Sequence, residues 1–265
     1  MKRKIIALLT DFGDTHYVGI MRGVILSINP NVVIVDITHN IRRHNIVEGA
    51  FILLNTYKYF PAKTIFVIVI DPGVGSSRKA IIVKCKRYIF IGPDNGVLYP
   101  SIIEDGVEDI YMITNRKYML ENISQTFHGR DIFAPIAGYV SRGIKLSEIG
   151  SKLNLSEIAK ITFNKPIIRD KKIIGEILYI DGFGNIVTNI DANIIKKLCV
   201  GKHRISLEIA EHKYMLPLVK SYSDVDRGKP LLIIDSFNML EIAINGGDAS
   251  KYFSTKNGDK IIIEI

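Results

Sequence analysis

The sequence predicts an α/β fold in two parts: a mostly parallel sheet with covering helices over residues 1–160, and a small all-β domain over residues 173–265, joined by a linker at 161–172. Three observations predict it. Apolar runs ending in polar loops alternate with segments of helical spacing through the first part of the chain. The third such run, Thr64 to Ile70, has almost no polar position, as in a strand covered on both faces. Beyond Pro166 and the charged stretch Arg169 to Lys172, short apolar runs separated by turn residues replace that alternation.

Lys4 to Thr10 reads as the first strand, closed by Asp11-Phe12-Gly13-Asp14-Thr15. Tyr17 to Ile28 then sets Val18, Met21, Val24, Ile25 and Ile28 at helical spacing, and Asn29-Pro30 stops it. Val32 to Ile37 predicts a second strand, and Asn45 to Phe60 a second helix with Val47, Phe51 and Leu54 on successive turns, closed by Pro61. Shorter strands follow at Ala80 to Lys84 and Tyr88 to Ile91, then a turn at Gly92-Pro93-Asp94-Asn95-Gly96. The loop Ser124 to Asp131 precedes a helix from Ile132 to Ser141, and Leu146 to Leu155 is irregular. In the second part, strands are expected at Ile173 to Ile180, Asn185 to Ile190, His203 to Ile209, Leu231 to Ile234, Met239 to Ile244 and Lys260 to Ile265, with one helix at Asp191 to Leu198. That pattern fits a small barrel or a sandwich.

Composition narrows the class of function. With 265 residues, 47% hydrophobic and 23% charged, the chain can bury a sizeable core. The net charge of +8 is spread over small groups (Lys2 to Lys4, Lys84 to Arg87, Arg169 to Lys172) with no basic helix or Cys/His finger, which argues against nucleic acid as a partner. Cys85 and Cys199 stand far apart and outside any Cys-x-x-Cys spacing, as reduced thiols do. Asp11 and Gly13 interrupt the apolar N-terminal run before a signal peptide develops, and no run reaches the ~18–20 residues of a spanning helix. A cytoplasmic protein without a membrane partner is expected.

The polar residues concentrate at the carboxyl ends of the parallel strands, where open α/β sheets bind ligands. Asp11, directly after the first strand, can accept two sugar hydroxyls, although no Gly-x-Gly-x-x-Gly fingerprint accompanies it. In Asp71-Pro72-Gly73-Val74-Gly75-Ser76-Ser77-Arg78 two glycines permit close approach, and the acid and base at the ends can meet across the folded loop, either as part of a site or as a structural clamp. His128 sits between an aromatic residue and a glycine, and Asp131 reads as an N-terminal cap of the following helix. No His-Glu-x-x-His or Asp-x-Asp is present and Arg78 would compete with a cation, so no metal is expected. Asp181-Gly182-Phe183-Gly184-Asn185 reads as a glycine-rich turn, plain or facing a small ligand.

Taken together and in order, Thr10-Asp11-Phe12-Gly13, Asp36-Ile37-Thr38-His39, Asp71 to Gly75, Pro93-Asp94-Asn95-Gly96, Thr126 to Pro135, and Gly184-Asn185 with Thr188-Asn189 resemble the S-adenosyl-L-methionine hydroxide adenosyltransferases, relatives of the fluorinating and chlorinating enzymes that use the same substrate. The resemblance implies a Rossmann-like N-terminal α/β domain, a C-terminal β-barrel, and a homotrimer with active sites between subunits. It implies hydrolysis of S-adenosyl-L-methionine to adenosine and L-methionine by attack of water on the ribose C5′, with no cofactor required. The family's catalytic acid, arginine and histidine fall on Asp71, Arg78 and His128, and its ribose acid on Asp11. His44 and Phe127 are expected around the sugar and sulfonium end, and Asp181, Asn185 and Asn245 at the methionine and adenine portions. Asn245-Gly246-Gly247-Asp248-Ala249 departs from the more alanine-rich form of the family. The competing readings are a halogenase acting on the same substrate and a nucleoside-binding protein without turnover.

Overall fold

The computed structural model describes residues 3–201 and 203–265; of the basic group Lys2 to Lys4, Lys2 lies outside them. The chain divides into two compact units, Met1–Thr162 and Phe163–Ile265.

In the first unit, β1 (Lys4–Thr10), α1 (His16–Ile28), β2 (Val32–Thr38), α2 (Ile46–Thr56) and β3 (Ile65–Val69) follow the alternation of the sequence. β3 is buried at every position, as its unbroken apolar run requires. Of the five residues that its spacing put on one face, α1 buries Val18, Met21 and Ile25, and Val24 and Ile28 are half-buried. α2 begins at Asn45, whose side chain accepts the Glu48 amide at 3.1 Å. It ends at Thr56, and the residues to Tyr59 continue as a tighter turn.

The rest of the unit is β4 (Ala80–Cys85), β5 (Ile89–Pro93), α3 (Tyr99–Asp105), β6 (Val107–Met112), α4 (Ala134–Ser141) and β7 (Lys152–Leu153). The sheet order is β2-β1-β3-β5-β4-β6-β7. Its β2-β1-β3-β5 half is parallel, and β4, β6 and β7 add antiparallel strands. Gly92 and Pro93 belong to β5, where the sequence suggested a turn. A Cβ at Gly92 would lie 2.8 Å from the Ile68 carbonyl, so this glycine lets neighbouring strands approach. α3 and β6 escaped the sequence reading because one is short with proline in its first turn and the other carries Glu108 and Asp109 among its apolar residues.

The second unit contains β8 (Ile167–Arg169), β9 (Lys172–Ile180), β10 (Ile186–Asp191), α5 (Ala192–Leu198), β11 (Arg204–Ile209), β12 (His212–Val219), β13 (Pro230–Ile234), β14 (Met239–Ile244), α6 (Ala249–Tyr252) and β15 (Lys260–Glu264). The order β10-β14-β13-β12-β11-β15-β9, with β9 pairing back to β10, closes a barrel, and β8 flanks β9 from outside. Closure selects the barrel over the sandwich and removes the exposed edges of these strands. β8 lies in the segment that the sequence suggested as a linker. β12 was not anticipated: Pro217 interrupts its pattern, yet the strand pairs along β11 and turns to β13 at Leu218 and Val219. Isoleucine and leucine from β9 to β15 fill the interior, with Ile173, Ile186, Ile190, Leu207, Leu240 and Ile263 fully buried. Among the described residues no helix is long and apolar enough to cross a membrane.

Candidate active site

The parallel register of β1 and β3 pairs Thr10 with Val69, which brings the polar ends of both strands together. Asp11 follows the first, its amide reaching the Val69 carbonyl at 3.4 Å, and Asp71 follows the second. Both line a cleft of about 390 Å³ with Phe12, Tyr17, Arg43, His44, Phe127 and His128. The Asp11 carboxylate accepts the His44 amide at 2.8 Å, and His44 sits in left-handed backbone at φ +66°. One acid therefore fixes a neighbouring wall of the cleft. The rings of Phe12, Tyr17 and Phe127 meet at 5.0–5.7 Å between centroids.

Asp71 and Arg78 close their loop as a two-pronged pair. Arg78 Nε donates to Asp71 Oδ1 at 2.9 Å, and Arg78 Nη2 donates to Asp71 Oδ2. The side chains are only 5% and 10% exposed, so solvent does little to screen them. Arg78 Nη2 also meets His128 Nδ1 at 2.7 Å, and the guanidinium lies over the Phe133 ring at 5.4 Å. A guanidinium has no acceptor, so His128 Nδ1 accepts and the ring proton resides on Nε2. Burial, reinforced by Arg78, holds the His128 pKa below its ordinary value against the opposing pull of Asp71 and Asp131, which keeps the ring neutral.

Two loops interlock to make this contact. Gly75, at φ +77°, nests so closely that a Cβ there would stand 2.3 Å from the Gln125 carbonyl. Asn95 Nδ2 supports the start of the same loop by donating to the Ile70 carbonyl at 2.8 Å. On the other side His128 leads into a wide π-type turn, Gly129–Phe133, that runs into α4. Asp131 is not a helix cap, as its position suggested. It lies inside that turn, fully buried, and bonds Arg130 and the Ser124 amide. The interior turn turns its side chain back toward the preceding loop.

Asp181, Asn185 and Asn245 belong to the second unit. The Asp181 carboxylate accepts the amides of Phe183 and Asn185 at 2.8 and 2.9 Å and the Asn185 side-chain amide at 3.0 Å. Asn245 donates its side-chain amide to the Val225 carbonyl at 2.8 Å. Asp181 also lines a cavity of about 510 Å³ with Tyr222, Asp235 and Glu241. Tyr222 donates to Glu241 at 2.7 Å, and burial, aided by Asp181 and Asp235, pushes the Glu241 pKa up to about 7. Nothing in the sequence singles out this group, because Glu241 sits in an otherwise apolar strand, on the face opposite Leu240, Ile242 and Ile244 of the barrel interior. Arg43, Phe12 and Tyr17 were likewise missed as cleft residues, since Arg43 and Phe12 stand in loops and Tyr17 in the first turn of α1, with no recognisable polar spacing among them.

Among the described residues no group of His, Cys, Asp and Glu stands as a metal-holding cluster. The acids of the cleft are instead committed to Arg78 and to the His44 amide. Burial pushes the Cys85 thiol up to about 12, which leaves it unreactive.

Comparison with known proteins extends these observations over nearly the whole chain. Residues 6–150 match the SAM hydroxide adenosyltransferase N-terminal domain, and residues 175–262 match the corresponding C-terminal domain. A protein of Methanocaldococcus jannaschii named (R)-S-adenosyl-L-methionine hydrolase is 34% identical, covering 98% of this chain and 95% of its own. A fluorinase of an Actinoplanes species is 28% identical, covering 96% of this chain and 95% of its own. The solved structure of an uncharacterized conserved protein from Thermotoga maritima superposes with a TM-score of 0.90 at 40% identity, covering 98% of this chain and all of that one. The matched domains, in the order in which they occur here, show that the chain belongs to the SAM hydroxide adenosyltransferase family.

Proposed function

We propose that the protein is an adenosine-forming S-adenosyl-L-methionine hydrolase in which Asp71, Arg78 and His128 act on the attacking water. The reaction joins a water oxygen to the ribose C5′ while the C5′–S bond breaks, its electron pair going to sulfur. Adenosine, L-methionine and one proton result. The sulfonium leaves as a neutral thioether, so no general acid is needed and no cofactor enters the reaction. The demanding partner is water, whose pKa of ~15.7 makes it a poor nucleophile until it is positioned and polarised. As the proton passes to a base the oxygen becomes hydroxide-like, and its negative charge cancels that of the sulfonium in the transition state, so a partly dry cleft favours the step.

The observation that carries this assignment is the meeting of Arg78 with both Asp71 and His128 at the cleft wall. Asp71 and His128 line the cleft, and Arg78 organises them. The His128 Nδ1 lone pair is occupied, so this ring orients the water by donating from Nε2. Asp71 retains lone pairs beyond those engaged by Arg78 and is the group able to take the proton. Asp11 is assigned to the ribose hydroxyls, with His44 and Phe127 around the sugar and sulfonium end. Asp181, Asn185 and Asn245 are assigned to the methionine and adenine portions. The preferred substrate is the (R) sulfonium epimer, as in the names of the hydrolase relatives.

A halide reading has less support. A carboxylate at Asp71 opposes an anion in the same cleft by like-charge repulsion. Product chromatography in H₂¹⁸O with added chloride or fluoride tests the assignment. The expected products are adenosine labelled at the 5′ oxygen and unlabelled methionine; a halogenated nucleoside as main product, or intact substrate, sinks it. The active particle is proposed to be a cytoplasmic homotrimer with sites shared between subunits, because both walls of a site for so small a molecule must be preformed. Full activity of a sedimenting monomer would rule that out.

A further inference from the structure

A carboxylate outside the cleft lining, that of Asp131, is bonded to the loop that carries His128. Asp131 has no exposed surface. Its Oδ1 accepts Arg130 Nε at 2.6 Å, and its Oδ2 accepts Arg130 Nη2 at 3.1 Å and the Ser124 amide at 2.8 Å. Ser124 Oγ in turn accepts the amides of Phe127 at 2.9 Å and Thr126 at 3.3 Å. The chain then closes on itself. The Asp131 amide donates to the Phe127 carbonyl at 3.1 Å, and the Asp131 carbonyl receives the Leu120 amide at 2.9 Å. The same Arg130 lies over the Phe127 ring at 5.3 Å from its centroid.

These bonds form a ring around residues 124–131, and His128 is carried on it. A buried carboxylate is costly unless its lone pairs are filled, so the ring resists opening. Although burial alone would raise it, the bonds from Arg130 and Ser124 hold the Asp131 carboxyl below the usual carboxylate range. A helix cap would not need this wiring. Its direction is toward the loop that presents His128 to Arg78, and Gln125 of that same loop carries the carbonyl against which Gly75 nests.

We propose that Asp131 is a positioning residue for His128: acting through Ser124, it fixes the loop that holds the imidazole Nδ1 against Arg78. The inference deepens the hydrolase reading above and rests on it for the effect on rate. Its structural content can be read without turnover.

The test is ¹⁵N-histidine NMR of the full-length protein beside steady-state kinetics. In the parent protein His128 should show the Nε2–H tautomer and a titration midpoint below 6.5. The charged groups facing it are Arg78, Asp71 and Asp131, of which Arg78 lowers the midpoint and the two acids raise it. Removing the Asp131 charge with the ring in place therefore lowers the midpoint further. If Asp131→Asn releases the ring from Arg78, the midpoint instead rises toward 6.5 and the tautomers mix. The same variant should lose about 10- to 100-fold in kcat with KM within about threefold, the size of effect expected for a catalytic group displaced by about 1 Å. Ser124→Ala, which keeps the Asp131–Arg130 pair, should move both readouts in the same direction by less, and Ser124→Thr should restore them. An unchanged or lowered midpoint with kcat within twofold in Asp131→Asn overturns the proposal. If that variant does not fold, unchanged titration and kcat in Ser124→Ala overturn it. Failure of the parent protein to release adenosine and methionine would fell the hydrolase reading, while the tautomer and midpoint still decide the role of Asp131.

Discussion

The cleft of the first unit and the Asp181 turn of the second hold their charges in opposite ways. Asp71 and Arg78 come from the two ends of one loop and His128 from another, and the three meet only because β3, the nested Gly75 and the 124–131 loop are all in place. Asp181 finds its partners among residues two to four positions away. The first arrangement depends on the tertiary fold, with its ion pair almost unexposed and His128 half-buried at the cleft; the second is assembled by its own turn. A site built over long range should therefore fail sharply when one member is lost, whereas a site preassembled locally should fail by degrees.

The largest expected effect lies in the first region. Asp71→Ala and Arg78→Ala should lower turnover by roughly 10²–10⁴ while substrate affinity stays within a few fold. Calorimetry and single-turnover rates on the same folded variants measure this. The competing clamp role has its own signature. Removing one partner of a buried ion pair strands the other at a cost of about 3–5 kcal/mol. That cost falls on either role, so the clamp alone is recognised by affinity and turnover falling in step with melting temperature.

Asp11 should fall between the two extremes. One of its oxygens already holds the His44 amide, so Asp11→Ala removes an expected sugar contact and a wall support together. Each hydrogen bond to a charged acceptor is worth ~1.5–3 kcal/mol, so the dissociation constant should weaken by at least about tenfold. Turnover at saturation should change much less than in the Asp71 variants. An Asp11→Ala enzyme with unaltered affinity and depressed turnover would move Asp11 into the reacting set and blur the comparison.

The contrast also explains what could be read without coordinates. β1, β2 and β3 were legible as apolar runs that stop at polar residues, and α1 by its helical spacing up to Asn29. Asp71, Arg78 and His128 were legible as chemical candidates from their glycine-bearing loops, but their contact is a product of packing between positions 50 residues apart. Asp131 was misread for the same reason: an acid near a helix start looks like a cap until the turn is seen to be of π type. β12 was hidden by Pro217, and Glu241 by apolar neighbours on both sides.

Glu241 sharpens the comparison from the cavity that Asp181 also lines. Burial raises its pKa from 4.5 to about 7, with Asp181 and Asp235 adding to the shift. The folded state therefore keeps a proton that the unfolded chain releases above pH 4.5. The group costs nothing at acid pH and destabilises the fold progressively as pH rises from 4.5 toward 7. Since a pKa unit corresponds to ~1.4 kcal/mol, Glu241→Gln should stabilise the protein by about 2–3 kcal/mol at pH 8 and change little near pH 4.5. The Tyr222 hydroxyl can still donate to the amide oxygen. Urea melts at the two pH values check the sign, and a variant less stable than the parent at pH 8 contradicts it.

The smallest effect, and the most telling for the second region, is expected at Asp181. Asp181→Ala removes three bonds within a part-exposed turn and should cost about 1–2 kcal/mol of stability. That number alone cannot separate a turn residue from a ligand residue, because a loosened turn would also carry Asn185 away. Asp181→Asn can separate them. Its side-chain oxygen still accepts the amides of Phe183 and Asn185, and the third bond is kept when the Asn185 side-chain amide turns over to accept from the new NH2 group, so the turn and the melting temperature should persist, while the negative charge disappears. The methionine arm of the proposed substrate carries an ammonium group, so a charge that faces it should be felt in binding. We expect the dissociation constant to rise by about three- to tenfold in Asp181→Asn, with melting unchanged and turnover at saturation close to that of the parent. Unaltered affinity would reduce Asp181 to an element of its own turn, leaving the long-range cleft of the first unit as the sole seat of charge recognition.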